Sequence, residues 1–74
     1  MKILGIDPGS AVTGFGLIQA EGNRMGLVDF GIIKTSPKDA LALKLKTIYD
    51  GVKEIIDTHK PDQMAIESIF YSEN

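Results

Sequence analysis

The stretch "KILGIDPGSAVTGFG", residues Lys2–Gly16, decides the fold of this chain. Residues 2–7 are apolar on both faces of a predicted strand, which is typical of a strand in the middle of a covered sheet. The strand ends on Asp7, and Pro8–Gly9 predicts a tight turn, because proline presets φ and glycine accepts a positive φ. A second strand follows over residues 12–20. An acid at the tip of a buried strand is either a turn residue or part of a metal site.

The two faces of the second predicted strand differ: one carries Val12, Gly14, Gly16, Ile18 and Ala20, and the other carries Phe15 and Leu17. Gly14 and Gly16 share a face, where they leave room for a neighbouring backbone or a ligand to approach closely. A hairpin loop at residues 21–24 leads into a third predicted strand over residues 25–34. The first three strands are therefore expected to form an antiparallel meander.

A helix is predicted over residues 37–59. Ser36 fits an N-cap, Pro37 fits the first helical position, and Asp39 is an acid three residues after the cap. Apolar residues then recur at steps of three and four, which makes one apolar stripe. The stripe consists of Leu41, Leu45, Ile48, Val52, Ile55, Ile56 and His59. Two pairs four residues apart lie on the opposite side, Lys46 with Asp50 and Lys53 with Asp57.

A short fourth strand, "QMAIE" at residues 63–67, follows Pro61. A strand–helix–strand connection of this length favours a strand parallel to the first, with the order 3-2-1-4. Asp7 and Glu67 would then emerge at the same edge, where two carboxylates repel unless a cation neutralises them. A hard divalent cation, above all Mg²⁺, is the usual partner. Two simpler interpretations stay open, with Asp7 as a turn-opening residue and Glu67 as a solvated strand end.

Composition narrows the class of protein. The chain has 74 residues, a formal net charge of −2 and no cysteine, so neither disulfides nor thiolate zinc sites contribute. The absence of cysteine is compatible with a reducing cytoplasm, and we expect a cytoplasmic protein with no membrane span or secretory signal. The excess of acidic over basic residues argues against a nucleic-acid binder, because such a protein ordinarily presents a basic surface.

Three segments together resemble the RuvC-type Holliday-junction resolvases. They are "ILGIDPGSAVTGFGLI" at residues 3–18, "DFGIIKT" at residues 29–35 and "PDQMAIESIF" at residues 61–70. The resemblance implies an α/β, ribonuclease-H-like mixed sheet with helices on both faces. It also implies that residues 1–74 are the N-terminal part of a single nuclease domain, truncated before the last strand and the C-terminal helices.

The same resemblance implies a function. It points to a Mg²⁺-dependent, structure-selective endonuclease that resolves four-way DNA junctions in recombination and repair, working as a homodimer with branch-migration helicase partners. Asp7 and Glu67 match the first two catalytic acids, which are metal ligands in a two-ion site. Phe70 matches an aromatic residue that stacks on unpaired bases, and it is therefore a candidate DNA-binding residue.

One departure from the family pattern qualifies this prediction. The family completes its site with further acids on a helix near its C-terminus, and no equivalent is evident among these 74 residues. We therefore expect this chain alone to be inactive.

Other classes of function remain as alternatives. An actin-like or sugar-kinase ATPase half-domain also opens with a similar acidic turn, and a non-catalytic binding or oligomerisation module of the same fold is a further possibility. Ribonuclease H itself is disfavoured, because it carries its glutamate on the first helix, facing the sheet edge.

With one helix for one sheet, we also expect a bare face that exposes apolar groups from the first two strands.

Overall fold

The computed structural model describes residues 1–9 and 11–66. It consists of a mixed four-stranded sheet with one helix against one face. The elements are β1 (Lys2–Asp7), β2 (Val12–Glu21), β3 (Arg24–Lys34), α1 (Leu41–His59) and β4 (Gln63–Ile66). The strand order is β3-β2-β1-β4, with β1 antiparallel to β2 and parallel to β4. The predicted meander, strand order and parallel fourth strand are confirmed.

The core lies between α1 and the two central strands. Leu4 and Ile6 alternate with the residues of the opposite face, as the period of two in a strand requires. Leu4 pairs with Leu17 of β2, and both side chains are 0% exposed. Side chains from β2 and α1 pack against this small cluster, namely Phe15, Val52, Ile55 and Ile56. Burial of these apolar groups is what holds the helix on the sheet.

The helix begins at Leu41, later than the predicted start at residue 37. The predicted cap residues do make cap-type hydrogen bonds: the Ser36 N–H donates to Asp39 Oδ2, and the Lys38 N–H donates to Ser36 Oγ, both at 3.2 Å. These bonds close a separate turn, because Ala40 is extended with ψ at 153°. The predicted start is therefore wrong, since local side-chain bonds satisfied the turn without continuing the helix. The predicted end at His59 is confirmed.

Only the second half of the predicted apolar stripe packs on the sheet. Leu41 and Leu45 are 71% and 57% exposed, whereas the later stripe residues are partly buried. Gly51 allows the helix to lie close to β3, because a Cβ there would lie 2.8 Å from Ile33 Cδ1.

Within residues 1–9 and 11–66, no helix is long and apolar enough to cross a membrane.

A β-bulge interrupts the pairing of β2 with β3. Leu17 pairs with Asp29 and Ile18 pairs with Leu27, so Val28 is the extra residue. A bulge increases the local twist and bends the strand that carries it. Asp29 shares the helix-facing side with Leu17, and its Oδ2 lies 3.1 Å from His59 Nε2. This contact joins the end of α1 to β3, one of the two outer strands of the sheet.

Two glycines serve the turns for different physical reasons. Gly22 in the β2–β3 hairpin has a φ of 61°, in the left-handed region that favours glycine. Gly9, in the turn after β1, has no positive φ. A Cβ on Gly9 would instead clash with the carbonyl oxygen of Val12. Position 9 therefore favours glycine because the backbone of Val12 lies too close to leave room for a side chain.

Two matched substitutions test this reading of the turn. Gly9→Ala is expected to lower the free energy of unfolding by roughly 1–3 kcal/mol, since the added methyl group must displace backbone. Gly16→Ala is the control, because a Cβ there meets nothing within 4 Å and a restricted unfolded chain favours the folded state. Chemical denaturation of both variants measures the difference. Equal stability of the two variants would contradict the proposed close approach at Gly9.

Candidate functional site

Asp7 lies at the C-terminal end of β1 and is exposed. It pairs with Gly14 of β2. Leu4 and Ile6 face the helix, so strand alternation places Asp7 on the opposite face of the sheet. The acid therefore stands at one edge of the face that α1 does not cover.

The strand on the other side of β1 runs in the same direction. The last described pair between β1 and β4 is Ile6 with Ile66. The next positions in the two strand sequences are Asp7 and Glu67. Glu67 and the predicted DNA-binding residue Phe70 both lie outside the described residues, so of the three predicted site residues the structure describes Asp7.

The face of the sheet beside Asp7 has a floor of glycines. Gly5 pairs with Gly16, and a Cβ on Gly14 or Gly16 would meet nothing within 4 Å. An open apolar groove of ≈ 810 Å³ lies over these glycines, and Asp7 is one of the residues that line it. The expectation of exposed apolar groups from the first two strands is confirmed only for Val12, at 43% exposure. Glycines occupy the neighbouring positions, and Phe30 and Ile32 of β3 supply the larger exposed groups.

The other acids near secondary structure have different partners. Asp50 and Asp57 accept hydrogen bonds from Lys46 at 2.7 Å and from Lys53 at 2.8 Å, as the spacing predicted. The hydrogen bond from Lys53 lowers the pKa of Asp57. Among the described residues, Asp7 belongs neither to these two ion pairs nor to the contact between Asp29 and His59.

The described residues do not by themselves form a metal site. Residues 1–9 and 11–66 contain no group of three or more His, Cys, Asp or Glu side chains that could hold an ion. An exposed carboxylate at a strand end does suit a hard divalent cation, which takes oxygen ligands and keeps several waters. Asp7 therefore suits such a cation as one oxygen ligand, and the described residues do not complete a site around it.

Sequence reasoning missed Asp62, which precedes β4. Its backbone N–H donates to the Lys2 carbonyl at 2.8 Å, and its Oδ2 accepts a hydrogen bond from the Lys2 N–H at 2.7 Å. The Lys2 ammonium also donates to the His59 carbonyl at 3.1 Å. The available signal was an aspartate directly after Pro61, because aspartate at the start of an element commonly bonds the backbone.

Comparisons with known proteins identify the family. The family model described as crossover junction endodeoxyribonuclease RuvC matches residues 3–74. RuvC of Geotalea uraniireducens is 53% identical over 74 residues, which are 100% of this chain and 43% of that protein. Thermus thermophilus RuvC, solved in complex with Holliday junction substrate, superposes with a TM-score of 0.86 at 32% identity, covering 100% of this chain and 48% of that one.

A more distant likeness concerns the fold alone. The Ppx/GppA phosphatase of Aquifex aeolicus matches with a TM-score of 0.60 at 20% identity, over 89% of this chain and 25% of that one. This chain spans less than half the length of the curated relatives it matches. Because the family model covers nearly every residue, the chain belongs to the RuvC family of crossover junction endodeoxyribonucleases and has its ribonuclease-H-like fold.

Proposed function

We propose that this chain is the N-terminal part of a Mg²⁺-dependent endonuclease that resolves four-way DNA junctions in recombination and repair. The observation that carries the proposal is the parallel register of β1 with β4. If this register continued by one residue beyond Ile6 and Ile66, it would bring Asp7 beside Glu67. Residues 1–74 then form one part of a single nuclease domain.

The two carboxylates would act together. Neighbouring strands lie about 4.8 Å apart, so side chains on the same face at the same register reach a shared ion. Asp7 and Glu67 are therefore assigned as catalytic residues that supply oxygen ligands. In the complete two-ion site, Mg²⁺ would activate water and stabilise charge on the phosphodiester.

The glycine floor suits a substrate that must come close to Asp7. Gly14 stands beside Asp7 and presents no side chain on the open face. A phosphodiester approaching from this side meets backbone rather than a bulky group. Phe70, three residues after Glu67 in the sequence, is assigned to stack on a base near the cleaved strand.

The whole protein would act as a cytoplasmic homodimer that cuts two strands of the junction symmetrically, with branch-migration helicases as partners. The 74-residue chain supplies two of the acids, and two carboxylates do not hold two ions against a phosphate. We therefore expect this chain to bind metal weakly and to cut no DNA on its own.

Metal binding by the 74-residue chain is the first test. We expect a Mg²⁺ dissociation constant on the order of millimolar, and a tenfold excess over it should stabilise the fold by about 1.4 kcal/mol. Asp7→Asn should abolish this gain, whereas Asp57→Asn makes the same charge change on the outer side of α1 and should retain it. Thermal melting with and without Mg²⁺ measures the effect. A large loss of stability in metal-free Asp7→Asn would instead identify Asp7 as a structural turn residue.

A chimera tests the catalytic assignment. Residues 1–74 replace the matching part of Geotalea uraniireducens RuvC, to which they are 53% identical. We expect the chimera to nick a labelled four-way junction symmetrically with Mg²⁺, and both Asp7→Asn and Glu67→Gln to reduce the rate by at least about 100-fold. The chimera carrying Asp57→Asn is the control and should stay active. Full activity of Glu67→Gln would refute the paired site. Junction cleavage by the isolated 74-residue chain would instead refute the expectation that these two acids alone are inactive.

The role of Phe70 is tested in the same chimera. Phe70→Ala should weaken junction binding or cleavage by about 1–3 kcal/mol, the usual contribution of one base stacked on an aromatic ring. Tyr71→Ala is the neighbouring aromatic control and should have a smaller effect. A fluorescent base analogue at the junction centre reports stacking directly, and identical signals for the two variants would argue against the assignment.

A further inference from the structure

Asp62 joins the start of β4 to the start of β1 by two hydrogen bonds. One is a backbone bond, from the Asp62 N–H to the Lys2 carbonyl at 2.8 Å. The other is from the Lys2 N–H to Asp62 Oδ2 at 2.7 Å. The two bonds run in opposite directions between the same two residues. They hold residues 2 and 62 side by side at the point where the two strands begin to pair.

The side chains of β4 do little to define its pairing with β1. The strand has four residues, Gln63–Ile66, and all four are exposed. Met64 and Ile66 are 47% and 61% exposed, so neither is locked into the core. A shift of two residues would place one apolar side chain where the other had been. By contrast, the pairing of β1 with β2 is anchored by the fully buried Leu4 and Leu17.

An error in this register would be transmitted along the strand to the acids. Asp7 and Glu67 lie five positions after Lys2 and Asp62, respectively, so the same register continued past Ile66 would pair them. A slip of one residue would turn Glu67 to the other face of the sheet. A slip of two would displace it by about 6.6 Å along the strand. Neither arrangement suits an ion that holds its oxygen ligands at about 2.1 Å.

We propose that Asp62 is a positioning residue, whose carboxylate fixes the register of β4 on β1 and thereby aligns Asp7 with Glu67 for metal binding. The alignment of the acids rests on the function proposed above, whereas the register itself does not. The ammonium of Lys2 supports the same junction, because its bond to the His59 carbonyl holds the end of α1 above the first residue of the strand pair.

Variants of the 74-residue chain test this role. Asp62→Ala removes the acceptor for the Lys2 N–H, whereas Asp62→Asn keeps an oxygen that accepts the same bond. Asp57→Ala removes the same charge from the outer side of α1 as a control. Nuclear Overhauser contacts between the backbones of β1 and β4 report the register, and a Mg²⁺ titration followed at the Asp7 amide reports the metal site.

We expect Asp62→Ala to lose or shift the β1–β4 contacts while the β1–β2 contacts persist. Its Mg²⁺ affinity should fall about tenfold, as when a supporting hydrogen bond is removed from a metal site. Asp62→Asn and Asp57→Ala should retain both signals. Unchanged β1–β4 contacts and unchanged Mg²⁺ affinity in Asp62→Ala would overturn the proposal.

Two further outcomes keep the proposals separate. If the unmodified chain binds no Mg²⁺ but Asp62→Ala alone loses the β1–β4 contacts, the register role stands and the proposed metal site fails. If Asp62→Ala does not fold, hydrogen exchange at the Lys2 amide decides the matter. That amide should be protected in the unmodified chain and in Asp62→Asn, and rapid exchange in the folded unmodified chain would overturn the register role.

Discussion

The structure depends on the pairing of β1 with a neighbour on each side. The backbone N–H and C=O groups of a central strand point to both sides and are shielded from water. The two neighbouring strands must therefore supply their hydrogen-bond partners. β2 does so from the antiparallel side and β4 from the parallel side. The buried face of β1 meets α1, and its last residue, Asp7, is carried to the open face. The core, the position of the helix and the candidate site therefore all depend on β1, a strand of six residues.

Much of this fold was predictable because strands and helices have different periods. The bounds of β1 followed from a run that is apolar on both faces and ends at the Asp7-Pro8-Gly9 turn, and the parallel fourth strand followed from the length of the connection through α1. The helix start was not predictable, because Ser36 and Asp39 make the same hydrogen bonds in an isolated turn as in a helix cap. The reason for Gly9 was also hidden, since it depends on the carbonyl of Val12 and not on the φ of Gly9 itself.

The candidate site was predictable to a different degree. A single acid ending an apolar strand draws attention to Asp7 without further information. The assignments of Glu67 and Phe70 stay predictions, because both residues lie outside the described part of the chain. Asp62 was missed because one side-chain bond to a backbone amide sixty positions away produces no periodic pattern in the sequence. A local motif reveals chemistry at a strand end more readily than it reveals what aligns two strands.

The bulge in β3 also bears on whether another strand can add to this edge of the sheet. β3 is one of the two outer strands of the described sheet, and its exposed apolar side chains include Met25, Leu27, Phe30 and Ile32. A flat edge of this composition is a template for strand addition, the first step toward fibrillar aggregation. The extra residue at Val28 breaks the regular ladder midway, and the adjacent Asp29 adds a charge on the helix-facing side. The irregularity that brings Asp29 to His59 thus also leaves an incoming strand only short regular segments on which to pair.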